Sequence, residues 1–171
     1  MFHAFDNPPN PTASGRAQWM ALLARAPMAL LEPAIEAQAP GAPQWLRAPE
    51  TGLVMVQGRA GGTGERFNVG EVTVTRCALR LGGAPRDAAT VGVAYVLGRS
   101  HRHAQLAALA DALLQDPERH QALDQSLLVP VRAHLARVKA ERHARAQTSK
   151  VEFFTVAREA GSGDSEDGEA E

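Results

Sequence analysis

Residues 50–77 read ETGLVMVQGRAGGTGERFNVGEVTVTRC, and this stretch decides the fold class. An apolar run, Leu53-Val54-Met55-Val56, enters a glycine-dense turn, Gly61-Gly62-Thr63-Gly64-Glu65-Arg66-Phe67. A continuous apolar run bounded by turn residues has the pattern of a strand covered on both faces. Beyond the turn, residues 71–81 alternate. Val72, Val74, Arg76, Ala78 and Arg80 point one way, and Thr73, Thr75, Cys77, Leu79 and Leu81 the other. Gly82-Gly83-Ala84-Pro85 marks a second turn and residues 89–97 (ATVGVAYVL) a third strand, while residues 44–47 form a minor strand candidate. Consecutive strands with glycine-containing connections predict an antiparallel meander.

Helical patterns flank the meander. Residues 14–26 place Trp19, Leu22, Leu23 and Ala26 on one side, with Ser14 as N-cap. A short helix after Pro27 carries Leu30, Leu31, Ala34 and Ile35, its regularity limited by Pro33, and Pro40-Gly41-Ala42-Pro43 then breaks the chain. Downstream, Ser100 caps a helix striped by Leu106, Leu109, Leu113 and Leu114, and Asp116-Pro117 form a cap and first-turn pair for the next. Pro130 opens a long helix to about residue 148, with Val131, Leu135 and Val138 at heptad-like spacing. Beyond Val138 alanine is the only apolar residue until Val151, so the far half of this helix projects into solvent or lies on a partner. Helices, then a meander, then helices make the fold class α+β.

The chain has 171 residues, 44% of them hydrophobic and 5% aromatic, so Ala and Leu carry most of the packing in a single domain. Residues 1–13, with Pro8, Pro9 and Pro11, read as a disordered extension and residues 160–171 (AGSGDSEDGEAE) as a disordered acidic tail, leaving 14–159 as the domain. The net charge of −1 hides an asymmetry, because six acids lie at or beyond Glu159 and no Lys or Arg follows Arg158. Residues 1–158 therefore carry 18 basic and 13 acidic side chains, which suits an anionic ligand or an acidic partner surface. The single cysteine, Cys77, excludes an intramolecular disulfide. With no signal-like segment and no apolar run of the roughly 18–20 residues needed to span a bilayer, the expected location is cytoplasmic, without membrane contact.

Several side-chain groups have the residue types of a site. Glycine-rich phosphate cradles open onto a helix N-terminus. Here Gly61, Gly62, Gly64 and Glu65 lead into a strand without the P-loop's Lys-Ser/Thr pair, so a hairpin turn needing positive φ is the better account. Arg59, Arg66, Arg76 and Arg99 lie on or beside the meander, where convergence on one side would suit either an oxyanion or interfacial carboxylates. Arginine enrichment at interfaces favours the second. His101 and His103 diverge on a helix, His134 and His143 fall on opposite faces, and no metal or catalytic residues are assigned. Cys77 shares its face with Leu79 and Leu81 and reads as a core residue. Arg132, Arg137, Lys139, Arg142, Arg145 and Lys150 spread around their helix without interleaved aromatics, so nucleic acid is not an expected partner. The aromatic patch 151–156 (VEFFTV), with Phe153 and Phe154, reads as a docking segment or late strand.

Together, the GGTGERF block, Val96-Leu97-Gly98-Arg99 with the leucine helix after it, and Val151-Glu152-Phe153-Phe154-Thr155 resemble the PhnG family over residues 14–158. These are subunits of the bacterial carbon–phosphorus lyase system that degrades phosphonates. The resemblance implies a cytosolic, two-fold core assembly with PhnH, PhnI and PhnJ. It also implies a role, with PhnI, PhnH and the ATP-binding-cassette protein PhnL, in an ATP-dependent ribosyl transfer in which a phosphonate displaces adenine. The product is α-D-ribose 1-methylphosphonate 5-triphosphate. Another subunit, PhnJ, then breaks the carbon–phosphorus bond with an iron–sulfur cluster and S-adenosylmethionine. The resemblance assigns this chain neither chemistry nor a cofactor of its own.

Overall fold

The computed structural model describes residues 15–38, 41–82 and 89–151. The expected extension, Ser14 cap, acidic tail and the aromatic positions Phe153 and Phe154 lie outside them. Two short helices, α1 (Gly15–Leu23) and α2 (Met28–Glu36), precede a three-stranded antiparallel sheet in the order β1 (Gln44–Arg59), β2 (Arg66–Leu81), β3 (Thr90–Leu97). Helices α3 (His101–Leu114), α4 (Pro117–Leu123) and α5 (Val129–Thr148) follow. The class is α+β with a meander, as the periodicity predicts. The minor candidate at 44–47 proves to be the start of β1, a strand of 16 residues.

The β2 alternation holds. Thr75, Cys77, Leu79 and Leu81 are buried beneath the helices, with Gly92, Ala94 and Val96 of β3 on the same face. Helix α3 crosses this face on Ala104, Ala107, Ala108 and Ala112, all buried. The approach is close because Gly92 has no side chain. A Cβ there would lie 1.9 Å from Ala108 O and 2.9 Å from the Ala112 Cβ. Leu23, Leu31, Ile35, Leu106, Leu114, Leu123, Leu127, Leu128 and Val131 fill the space between the helices.

Capping is written locally. Ser100 Oγ accepts from His103 N at 3.2 Å, and Asp116 Oδ1 accepts from Glu118 N at 3.0 Å. Pro130 stands in the opening turn of α5, as the sequence suggests, but the chain is already helical before it. A π-helical turn, Asp124–Leu128, joins α4 to α5 without leaving helical geometry. Proline lacks the N–H that a regular turn would use, and the wider turn accommodates the gap.

The interior is organised by Asp111, which is fully buried on α3. Its carboxylate accepts from Arg16 Nε (3.2 Å) and Nη2 (2.8 Å), Trp19 Nε1 (2.9 Å) and Val93 N (2.9 Å). Arg16 Nη2 and Gln115 Nε2 both donate to Val91 O, at 2.9 and 2.8 Å. Side chains of α1, α3 and its C-cap Gln115 thus take up edge groups of β3 that no described strand pairs. Hydrogen bonding to Asp111 raises the Arg16 guanidinium above its ordinary range. Trp19 also meets His120 edge-on, with ring centroids 5.3 Å apart.

Replacing Asp111 by Ala strands Val93 N, Trp19 Nε1 and Arg16 together, and is expected to cost about 3–5 kcal/mol in denaturant unfolding. A cost below about 1 kcal/mol would contradict the clasp. Gly92→Ala is expected to destabilise by about 3 kcal/mol, since the obstructing atoms are backbone; an unchanged midpoint would show that α3 does not lie this close. Burial pushes the Cys77 thiol up from 9.0 to about 11. The unfolded chain therefore loses this proton before the folded one does, and stability falls as pH rises across that window. The C77A variant should lack that alkaline component.

Candidate functional site

Among the described residues the sheet is covered on one side only. Strand β3 ends opposite Val74, where Leu97 pairs, and Gly98 N bonds to Thr73 O at 2.9 Å. Helical cover stops at the same level. There the buried Thr75 hydroxyl donates to Gly98 O at 2.7 Å, and Thr51 Oγ1 lies 3.1 Å from both Thr75 Oγ1 and His101 Nε2. Beyond the Val74–Leu97 pair β1 and β2 continue alone as a two-stranded ribbon, seven residues on the β1 side (53–59), or about 24 Å at strand rise.

Both faces of the ribbon are open. Leu53 is 64% exposed and Val69 62%, and Val54, Met55 and Phe67 are each close to half exposed. The run Leu53–Val56, whose continuity predicts a strand covered on both faces, is therefore not covered by any described part of its own chain. Its hydrophobicity matches a buried strand and its position does not. A free two-stranded ribbon is marginal in water, so its apolar content calls for a covering surface from elsewhere. The register explains the local fit. Gln57 pairs Asn68 with a 3.2 Å side-chain bond, a bulge falls beside Val56, and Phe67 lies against the bare Cα of its partner Gly58.

The outer face of the three-stranded part continues this surface. Val74 lies beside Leu97, Arg76 beside Tyr95, and Ala78 beside Val93. Tyr95 is 54% and Leu97 61% exposed. A charged cluster sits in the middle of the face. Glu50 Oε1 accepts from Arg47 Nη1 at 2.5 Å and from Arg76 Nε at 2.7 Å. These two hydrogen bonds, Arg47 first, hold the Glu50 carboxyl below its ordinary range, and Glu50 in turn raises Arg76.

At the tip, Gly61 and Gly62 adopt φ of +58° and +84°, as the hairpin reading requires. Gly64 is needed for space, since a Cβ there would lie 2.7 Å from Ala60 O. Arg59 Nη1 closes the turn on Gly64 O at 3.2 Å. Glu65 supplies the turn a carbonyl, which accepts from Ala60 N at 3.5 Å.

The four meander arginines do not converge. Arg59 and Arg66 are cross-strand partners at the tip. Arg76 lies ten residues further along β2, about 34 Å away at strand rise, bound to Glu50. Arg99 is exposed on the link between β3 and α3. The turn and the sheet face are thus separate places.

Among the described residues no group of three or more His, Cys, Asp or Glu is arranged to hold a metal, and no helix is long and apolar enough to cross a membrane. His103 Nε2 lies 2.9 Å from Leu23 O and His120 Nδ1 2.8 Å from Leu114 O, so both tie helices together. Cys77 Sγ donates to Ala104 O at 3.0 Å inside the core. A recess of about 220 Å³ between α1 and β3 is lined by Met20, Leu23, Val93 and Tyr95 among others and is largely apolar. Two features escape a reading of the sequence. Asp111 looks like any polar residue in an alanine-rich helix, although its place among buried neighbours marks it. The uncovered sheet face is implied by the alternating Val72, Val74, Arg76, Ala78 and Arg80, but nothing local says that no helix lies over it.

Comparison with known proteins places the sequence in one family. The family described as "Phosphonate metabolism protein PhnG" matches residues 14–159. A relative from Rhizobium meliloti (strain 1021), named "Alpha-D-ribose 1-methylphosphonate 5-triphosphate synthase subunit PhnG", is 39% identical over 146 residues. That alignment spans 84% of this chain and 88% of the relative. With a family match across most of its length and a relative this similar, the chain belongs to the PhnG family.

Proposed function

We propose that this chain is a non-catalytic subunit of a phosphonate-processing complex, acting in formation of α-D-ribose 1-methylphosphonate 5-triphosphate. The reading takes the R. meliloti relative's role as a synthase subunit and extends it to this chain. The complex would use ATP, with a PhnI-like protein as main partner and PhnH, PhnJ and PhnL-like proteins in the same cytoplasmic, two-fold system. The observation that carries it is the apolar ribbon of β1 and β2, which the described chain leaves bare on both faces. Proteins rarely expose contiguous apolar surface of this kind unless something binds it.

The partner supplies a groove for the ribbon and an apolar surface for Val74, Tyr95 and Leu97. Arg47, Glu50 and Arg76 form the polar centre of that contact. Chemistry resides in other subunits, including the iron–sulfur and S-adenosylmethionine step, and this chain's contribution is to complete their shape.

A second reading rests on the ribbon tip. Arg59 and Arg66 stand directly opposite one another, and like charges in that arrangement repel. An anion placed between them, such as a phosphonate or triphosphate group, would relieve the repulsion. Arg99 is too far from that pair to share a ligand with it.

The two readings separate by mutation. Leu53→Asp with Phe67→Asp should leave the isolated chain's stability within about 0.5 kcal/mol, because both side chains are exposed. Affinity for a co-expressed PhnI-like partner should fall by about 30-fold or more, the effect of losing an interfacial anchor of about 2 kcal/mol. Light scattering that shows an intact complex with this variant would remove the ribbon from the interface. Arg59→Ala with Arg66→Ala should leave both assembly and turnover in place; lost turnover in an intact complex would favour the anion-binding reading.

A further inference from the structure

Helix α5 carries a packing stripe whose chemistry changes partway along. Val131 is buried and Leu135 and Val138 partly so, at steps of four and three residues on one face. The same steps continue to Arg142 and Arg145. With about 100° of rotation per residue, Lys139, Arg142 and Arg145 fall within an arc of about 120° that prolongs the apolar stripe. Arg137 points away from this arc and pairs with Glu141 at 3.3 Å, while Arg132, two turns before Lys139 on nearly the same bearing, pairs with Asp124 at 2.8 Å. All six cations together circle the helix, as the sequence reading has it, but these three make a patch. Every residue from Lys139 to Val151 is exposed.

Charge identifies what fits there. Residues 132–150 hold six Lys or Arg against Glu141 alone, whereas residues 159–171 hold six acids and no Lys or Arg. The family match ends at residue 159, so residues 160–171 lie outside it. Reach is sufficient. Fifteen residues separate Ser149 from Asp164, and a flexible chain of that length has a root-mean-square span of about 21 Å. The distance back from Thr148 to Lys139 is only about 14 Å along the helix.

We propose that the acidic segment 159–171 lies back along the patch formed by Lys139, Arg142 and Arg145, as the resident occupant of a surface suited to an acidic partner. Tethering gives the segment an effective concentration in the millimolar range. Exposed ion pairs are individually weak and screened by salt, so an acidic protein surface of higher complementarity displaces it.

The test uses the full chain and zero-length carbodiimide coupling of amines to carboxylates. Lys139 and Lys150 are the only lysines in the sequence, so a Lys139 product is diagnostic, and Lys150 beside Glu152 is the positive control. Mixing unlabelled with ¹⁵N-labelled chain distinguishes coupling within a chain from coupling between chains. The expected product joins Lys139 to a carboxylate within residues 164–171 of the same chain. It disappears near 1 M NaCl, where screening acts within about 3 Å, and in Arg142→Gln with Arg145→Gln, exposed positions at which the helix tolerates the change. Absence of the Lys139 product while Lys150 couples would overturn the proposal. So would coupling only between differently labelled chains, which would make a second copy the occupant, or indifference to the arginine changes.

Discussion

The carboxylate of Asp111, buried on α3, accepts hydrogen bonds from α1 and from the edge of β3, and the placement of the sheet follows from that. Burying an ionised carboxylate costs several kcal/mol unless its oxygens are fully engaged. Four donors engage these: two nitrogens of Arg16, the Trp19 indole and the Val93 amide. Each donor comes from an element that must sit within about 3 Å of the carboxylate, so α1 and β3 are held against α3. The alanine face of α3 and the missing side chain of Gly92 let the helix come close enough for this geometry.

A consequence is that all the helices gather on one side. The inner face of the sheet is closed by Ala104, Ala107 and Ala108, while the outer face keeps Val74, Tyr95 and Leu97 in the open. The cover also ends early along the strands, at the Thr51–Thr75–His101 junction. What extends beyond is a ribbon with more apolar surface than a two-stranded structure can hide by itself. The fold thus puts its core at one end and its exposed apolar surface at the other. Helix α5 repeats the pattern, anchored by Val131 in its first turns and exposed beyond Val138.

Much of this was legible in the sequence because it depends on local rules. The alternation of Thr75, Cys77, Leu79 and Leu81 shows which way β2 faces, and Ser100 and Asp116-Pro117 mark helix starts through their own capping chemistry. The glycine turn at Gly61 and Gly62 needs only local φ. The rest depends on what lies across space. Leu53–Val56 has the composition of a buried strand, and sequence cannot say whether the cover belongs to the same chain. Arg59, Arg66, Arg76 and Arg99 share a sheet, yet a strand's rise of about 3.4 Å per residue carries Arg76 far from the tip. Asp111 owes its role to Arg16 and Trp19, which lie more than 90 residues away in sequence.

The central claim is that the ribbon is an interface waiting for its cover, and hydrogen exchange of its amides reports on it most directly. Exchange over residues 53–59 and 66–73 would be followed in the isolated chain and after addition of the PhnI-like partner. The account predicts rapid exchange of the ribbon alone, beside slow exchange in α3 and the inner sheet, and strong protection of the ribbon once the partner binds. Ribbon amides already protected in the isolated chain, or unchanged by a partner that binds, would contradict it.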